Sequence, residues 1–224
     1  MAQKEIIRLE QIYYTVKSGA QYLPILTNIN LQIKAGVTIA ISGASGSGKT
    51  SLLNLMAGFE LPSSGKIFYN NQDITVLDED QRAKLRVRHI GFIFQSFQLL
   101  PNLNALENIM LPLEIMREND PYTIAHSWLD KVGLQHRAHH LPSQLSGGEQ
   151  QRVAIARGFA MSPSVLFADE PTGNLDVHTG KTITDLLFAL NEEHQTTLVI
   201  VTHDEHLAKR CQLHWPLVNG SLQC

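Results

Sequence analysis

Gly43-Ala44-Ser45-Gly46-Ser47-Gly48-Lys49-Thr50-Ser51 is the stretch from which the rest of the chain is read. It fits a glycine, four residues, then Gly-Lys-Ser/Thr, a pattern in which the backbone curls around an anion. Gly43, Gly46 and Gly48 let successive N–H groups turn inward, where a side chain would block an approaching phosphate. Ser45, Ser47 and Ser51 complete the loop around it. The helix expected after Gly48 aims its positive end at the same anion. Lys49 adds a point charge for the β- and γ-phosphates, and Thr50 offers a hydroxyl to Mg²⁺. Val37-Thr38-Ile39-Ala40-Ile41 reads as a buried strand entering the loop, and Leu52, Leu53, Leu55 and Met56 as the helix leaving it. A Gly/Ser linker would account for neither flank. The expected ligand is a nucleoside triphosphate.

The bulk numbers suit an ordinary globular chain. Its 224 residues, 43% hydrophobic and 17% charged, supply ample material for a core. A net charge of −3 gives no electrostatic ground for a nucleic-acid partner. Cys211 and Cys224 are too few for a disulfide framework and suit a reducing compartment. Met1-Ala2-Gln3-Lys4-Glu5 lacks the apolar stretch of a signal peptide. Runs such as Leu198-Val199-Ile200-Val201 fall far short of the ~20 residues a membrane span needs, so a membrane role requires a partner.

Along the chain, residues 5–35 alternate apolar and polar in short pieces, a small antiparallel sheet joined later by Lys66-Ile67-Phe68-Tyr69. Glu79 to Arg88 reads as a polar helix, and Ile90-Gly91-Phe92-Ile93-Phe94 as a buried strand ending at Gln95. From Ser96 to Ser143 the texture turns helical, with punctuating prolines. Asn104 and Glu107 mark a helix cap, and Leu106, Ile109, Met110 and Leu113 one apolar face. A second helix spans about Tyr122 to Val132. His136, His139 and His140 cluster nearby, but no Cys, Asp or Glu completes a metal set, and a solvated cluster is the reading adopted.

Leu145-Ser146-Gly147-Gly148-Glu149-Gln150 follows. Ser146 can cap a helix whose first amides the two glycines leave bare, a second anion site about a hundred residues after the first. Val165-Leu166-Phe167-Ala168 then runs into Asp169-Glu170, and Thr197-Leu198-Val199-Ile200-Val201 into Thr202-His203-Asp204, with a helix over Val177 to His194 between them. Leu213 to Leu222 reads as a closing hairpin turning at Asn219-Gly220. Several apolar runs thus stop at polar groups, and a parallel sheet gathers ligands beyond its carboxyl ends. Phosphoryl transfer asks for charge neutralisation and a positioned water. Asp169 is expected to hold Mg²⁺, Glu170 to orient or deprotonate the attacking water, Gln95 to reach metal and water, and His203 the γ-phosphate.

At Leu145–Gln150 the chain resembles the ATP-binding cassette (ABC) family, whose signature this is, and the likeness runs nearly its whole length. Gln95, Asp169-Glu170-Pro171-Thr172, Asn174-Leu175-Asp176 and His203 match the family's further motifs. The resemblance implies an α/β P-loop NTPase cassette: a RecA-like parallel-sheet core, an N-terminal antiparallel β subdomain and a helical subdomain. It implies one domain over 1–224, with 1–95 and 160–224 as the core and 96–159 as the helical subdomain. It also implies ATP as ligand and a head-to-tail pair of copies in which Ser146 and Gly148 of one close over the ATP on Lys49 of the other. Cassettes for DNA repair or translation need a long coiled coil, zinc cysteines or two cassettes in one chain, and this sequence has none.

Ile90–Phe97, Asn104–Asn108 and Ala168–Asp176 are similar to the lipoprotein-release and macrolide-export ATPases. That likeness implies a peripheral subunit on the cytoplasmic face of a bacterial inner membrane. It would drive permeases with large periplasmic domains, docking near Gln95–Asn108 and handling hydrophobic compounds or lipids. A periplasmic lipid-active hydrolase is a further implied partner. Where the family stacks adenine on an aromatic ring this chain has Val16, with Tyr14 and Tyr22 nearby.

Overall fold

The computed structural model describes residues 4–19 and 21–223. The chain's first three residues and Cys224, on which the reading of its start and of its cysteine pair rests, lie outside the described residues. The chain divides into two compact units, one comprising residues up to Arg86 together with Thr197 onward, the other Val87–Thr196.

In the first unit, β1 (Glu5–Ser18) and β2 (Gln21–Lys34) form a long antiparallel hairpin. The short pieces expected from the sequence are two continuous strands of 14 residues. Alternation breaks because register slips between Leu9 and Ile12, where Gln11 has φ 49°. The hairpin buries Ile7, Leu9, Ile12, Ile29 and Ile33. β3 (Thr38–Ser42) leads into α1 (Lys49–Met56), and β4 (Ser64–Tyr69) and β5 (Gln72–Asp73) extend the antiparallel sheet in the order β2-β1-β4-β5. The helix α2 (Glu79–His89), whose last three residues belong to the second unit, has no buried residue, as its polar sequence requires.

The second unit contains β6 (Ile90–Ile93), α3 (Ala105–Ile115), α4 (Pro121–Lys131), α5 (Gly147–Ala160), β7 (Val165–Asp169) and α6 (Val177–His194). β6 and β7 pair in parallel, and α5 packs on both α3 and α4. Asn104 and Glu107 form the expected capping box of α3. Leu106, Ile109 and Leu113 are buried and Met110 half-buried. Pro112 does not punctuate this helix but sits inside it, near its C-terminal end, where the forgone bond is to the one carbonyl its missing N–H would have reached. Asn108, on the same face, is buried at 1% exposure. Its amide donates to the carbonyls of Leu100, Leu103 and Asn104 and accepts from the Leu100 N–H, pinning the loop before α3.

The first unit closes with β8 (Thr197–Thr202), α7 (Glu205–Arg210), β9 (Leu213–Val218) and β10 (Ser221–Leu222). β3 pairs in parallel with both β8 and β9, and β10 turns back on β9 as the expected hairpin. The buried strands Thr38–Ile41 and Thr197–Thr202 are apolar except for their threonines, as strands covered on both faces must be.

Within the second unit α5 lies close against β6. A Cβ placed on Gly91 would strike the Gly158 carbonyl oxygen and come within 2.7 Å of Leu166 Cδ1. Gly91→Ala should therefore push the helix off the strand and destabilise the protein by roughly 1–3 kcal/mol, the usual cost of overpacking. Chemical denaturation checks this; an unchanged midpoint would mean that α5 can retreat freely.

Candidate active site

The first unit carries the phosphate loop and His203. β3 and β8 run in parallel with Ser42 opposite Thr202, so Gly43 and His203 leave the sheet at one carboxyl edge. His203 is exposed there. Asp204 then caps α7, its carboxylate accepting from the His206 N–H at 2.7 Å and the Leu207 N–H at 3.3 Å. This six-residue helix, too short to show in the sequence pattern, holds the chain just past His203.

The loop is drawn together by Lys49. Its side chain is buried at 8% exposure, and Nζ donates to the carbonyls of Gly43 at 2.8 Å and Ala44 at 3.0 Å. Gly48 caps α1 in the left-handed region (φ 99°) and, having no side chain, gives the helix no side-chain cap. Gly46 (φ 78°) would meet nothing if it carried a Cβ, so its glycine answers to backbone conformation and open approach rather than to packing. Ser45, Gly46 and Thr50 are exposed, whereas Ser47 Oγ is enclosed and has no hydrogen-bond partner. An orphaned hydroxyl beside bare amides and a lysine is a cradle that a phosphate fits.

The second unit gathers Gln95, Asp169, Glu170 and the Ser146 helix. Ile93 lies opposite Ala168 in the β6–β7 pair, so Gln95 and Asp169-Glu170 follow at one carboxyl edge. Glu170 sits at φ 46°, an uncommon conformation for a non-glycine residue, and its carbonyl accepts from the Gly173 N–H at 3.0 Å. Asn174 Nδ2 donates to the Gln95 carbonyl at 2.9 Å, and the Gln95 amide lies over Gly173. Gln151, fully buried on α5, donates to the Pro171 carbonyl at 2.7 Å. The sequence reading missed Gln151, since nothing in the pattern shows that a polar residue one turn past Ser146 points inward.

Ser146 caps α5 as expected. Its hydroxyl accepts from the Glu149 N–H at 3.3 Å, while the Glu149 carboxylate accepts from the Ser146 N–H at 2.8 Å. Arg137 Nε donates to the other Glu149 oxygen at 3.1 Å. The Ser146 backbone N–H, with its hydroxyl and Arg137, holds Glu149 below the ordinary glutamate value of 4.5. A Cβ on Gly148 would lie 2.6 Å from Thr179 Cγ2. Ser146, Gly147, Gly148, Arg152, Asn174 and Asp176 line a cavity of about 340 Å³ whose walls are mostly polar. Arg152 Nε is buried and unpartnered at its side. Bare amides, a hydroxyl and a guanidinium make this a second cradle for an anion.

Of the residues near the expected base position, Tyr14 is half-buried and its hydroxyl donates to Glu60, which also accepts from Asn54 on α1. That hydrogen bond, with burial and the Glu60 charge, pushes the Tyr14 phenol up to about 12. Val16 pairs with Leu23 and Tyr22 with Lys17, so Tyr22 points to the face opposite Val16. Among the described residues no group of three or more His, Cys, Asp or Glu could hold a metal ion. His136 and His139 are exposed, and His140 Nε2 lies 3.1 Å from Arg137 Nη1.

A strand–loop–helix phosphate cradle with a second bare helix start defines a nucleotide-hydrolysing cassette. The family model for ABC transporters matches residues 26–173, and the chain belongs to this family as an ATP-binding, ATP-hydrolysing subunit. It is 52% identical to an ABC transporter ATP-binding protein called YbbA from Escherichia coli K12, over all of this chain and 99% of that one. It is 42% identical to the lipoprotein-releasing system ATP-binding protein LolD of Hydrogenovibrio crunogenus, over 96% of this chain and 94% of that one. Among solved structures it resembles a dimeric post-hydrolysis state of the ATP-binding cassette MJ0796 bound to ADP and Pi, with 40% identity and a TM-score of 0.90. That match covers 98% of this chain and 97% of that one. The expected fold class and ABC resemblance therefore hold. Among the described residues no helix is long and apolar enough to cross a membrane.

Because the folded Glu149 pKa is depressed, its contribution to stability is present above the unfolded value and lost as pH falls through the folded one. Glu149→Gln should therefore flatten the acid limb of the stability curve below pH 4.5. Urea melts across that range test it; an equally steep acid limb in the variant would place the linkage elsewhere.

Proposed function

We propose that two copies of the chain pair head to tail, close over two ATP molecules and so drive a membrane permease. Gly43, Ser45, Gly46, Ser47, Gly48, Lys49, Thr50 and Ser51 grip the triphosphate in one copy, and Ser146 and Gly148 of the other copy seal it. The observation that carries this reading is that one chain holds two bare helix starts, each with an enclosed polar atom lacking a partner: Ser47 Oγ before α1, Arg152 Nε beside the start of α5. The dimeric MJ0796 cassette supports it by likeness.

Thr50, Gln95 and Asp169 offer a hydroxyl, an amide oxygen and a carboxylate, the hard oxygen donors that suit Mg²⁺. When bound, the ion neutralises charge on the β- and γ-phosphate oxygens. Glu170 orients and deprotonates the attacking water, Gln95 holds that water in line, and His203 donates to the γ-phosphate. Adenine rests on the aliphatic Val16–Leu23 pair, since Tyr14 is engaged by Glu60 and Tyr22 faces away.

The permease docks on the second unit near Gln95–Asn108. Supporting this is a mainly apolar cavity of about 260 Å³ lined by Phe92, Phe94, Leu100, Leu111, Pro112 and Ile115. Leu100 and Ile115, 44% and 61% exposed, leave apolar side chains at this cavity open to a partner. In this reading the permease has a large periplasmic domain, its cargo is lipid or another hydrophobic compound, and the chain stands on the cytoplasmic face of a bacterial inner membrane; the LolD relatives, named as ATP-binding proteins of a lipoprotein-releasing system, support a lipid-linked cargo. A periplasmic lipid-active hydrolase is the further partner in this reading.

Glu170→Gln should slow steady-state hydrolysis by on the order of 10²–10⁴ while ATP binding persists, as loss of a positioned base does. Near-parental turnover would move the base elsewhere. Ser146→Arg should leave ATP binding by the single copy intact and abolish ATP-dependent dimers in light scattering. Dimers forming as in the parent would overturn the head-to-tail seal.

A further inference from the structure

Arg157, on α5, is a charged side chain that the chemistry above leaves unused. Its Nη1 donates to the Gln98 carbonyl at 2.7 Å and its Nη2 to the Phe97 carbonyl at 2.9 Å. Both acceptors belong to residues at positive φ, 62° for Phe97 and 46° for Gln98. A bulky aromatic rarely adopts that region, and such a conformation persists only where its surroundings impose it. The turn's own bonds, Phe97 N–H to the Phe94 carbonyl and Gln98 N–H to the Ser96 carbonyl, occupy its donors and leave the two carbonyls to Arg157. A planar guanidinium with two parallel donors matches two successive carbonyls in a way that a lysine point charge does not.

Arg157 is half-buried, and burial pulls its pKa down from the ordinary arginine value. Among the described residues no carboxylate pairs with it. A charge held this way, by backbone alone, costs desolvation that the two bonds must offset. The helix that carries it is immobilised on either side: Gly158 packs under Gly91, and Gln151 grips the Pro171 carbonyl. Gln95 precedes Phe97 by two residues, and its own carbonyl is held by Asn174. The arm bearing Gln95 is thus anchored at one end by Asn174 and at the other by Arg157.

We infer that Arg157 is a positioning residue for hydrolysis. Its paired bonds hold the Phe97–Gln98 turn in its strained form and so set where the Gln95 amide stands at the Asp169–Glu170 strand edge. This rests on the role proposed above for Gln95, and acts through it.

The test compares the full chain with Arg157→Met, Arg157→Lys, Gln95→Ala and the Gln95→Ala/Arg157→Met pair, reading kcat, KM for ATP and the Mg²⁺ concentration giving half-maximal rate. Arg157→Met should lower kcat on the order of tenfold to a hundredfold, the scale of a small misplacement near reacting groups, with ATP affinity retained. It should raise the Mg²⁺ requirement, which a purely structural residue would not do. Arg157→Lys keeps the charge and most of the stem, so it should melt near the parent and recover part of kcat. It serves as the test if the methionine variant fails to fold, and parental kcat and Mg²⁺ dependence in the lysine variant would then overturn the inference. The double variant should be no slower than Gln95→Ala alone, since both remove one function. Losses that multiply, or a parental Arg157→Met beside a defective Gln95→Ala, would overturn the inference and spare the reading of Gln95. A parental Gln95→Ala would overturn both.

Discussion

Backbone amides left bare at the start of a helix are the interaction on which this molecule depends. At Gly48 and again at Ser146 a helix begins with N–H groups that no bulky side chain covers. Such groups carry partial positive charge without mobile counter-charges, so they bind an anion at little reorganisation cost. They must also be held open. Lys49 performs that task by bridging the Gly43 and Ala44 carbonyls, and Glu149 by folding back on the Ser146 N–H.

The two starts are built differently because their surroundings differ. The first follows a strand whose register against β8 puts His203 at the same edge, and its tightness comes from Gly43, where a Cβ would lie 2.7 Å from Ser47 Oγ. The second is stabilised by a capping box and by Arg137, a charge-assisted arrangement that leaves the oxygen of Ser146 shared between two roles. The Ser146 O–H is donated to the Glu149 carboxylate, so turning it toward an anion would cost that bond while the oxygen continued to cap the helix.

In the second unit, α5 serves several positions at once. Gln151 reaches the loop after Glu170, Gly158 admits β6, Arg157 takes the carbonyls beyond Gln95, and Ser146 opens the helix. A rigid rod with side chains at successive turns can tie separate loops to one body. Membership in the ABC family makes this helix the bearer of the signature, and the bonds along it show how its start is connected to the glutamine arm.

The sequence by itself determined the phosphate loop, the capped second helix, the order of the longer strands and helices, and the polar residues at strand ends. Each of these is written in local spacing: a glycine pattern, a Ser followed by Glu three residues on, an apolar run ending in Asp169 or His203. Only the tertiary structure decided that Asn108 and Gln151 are buried, that Arg157 faces two backbone carbonyls, that Tyr14 is engaged by Glu60, and that the first hairpin is continuous. Those facts depend on which distant backbone groups lack partners once the chain is packed. A polar side chain turns inward to satisfy them, and local pattern carries no trace of that need.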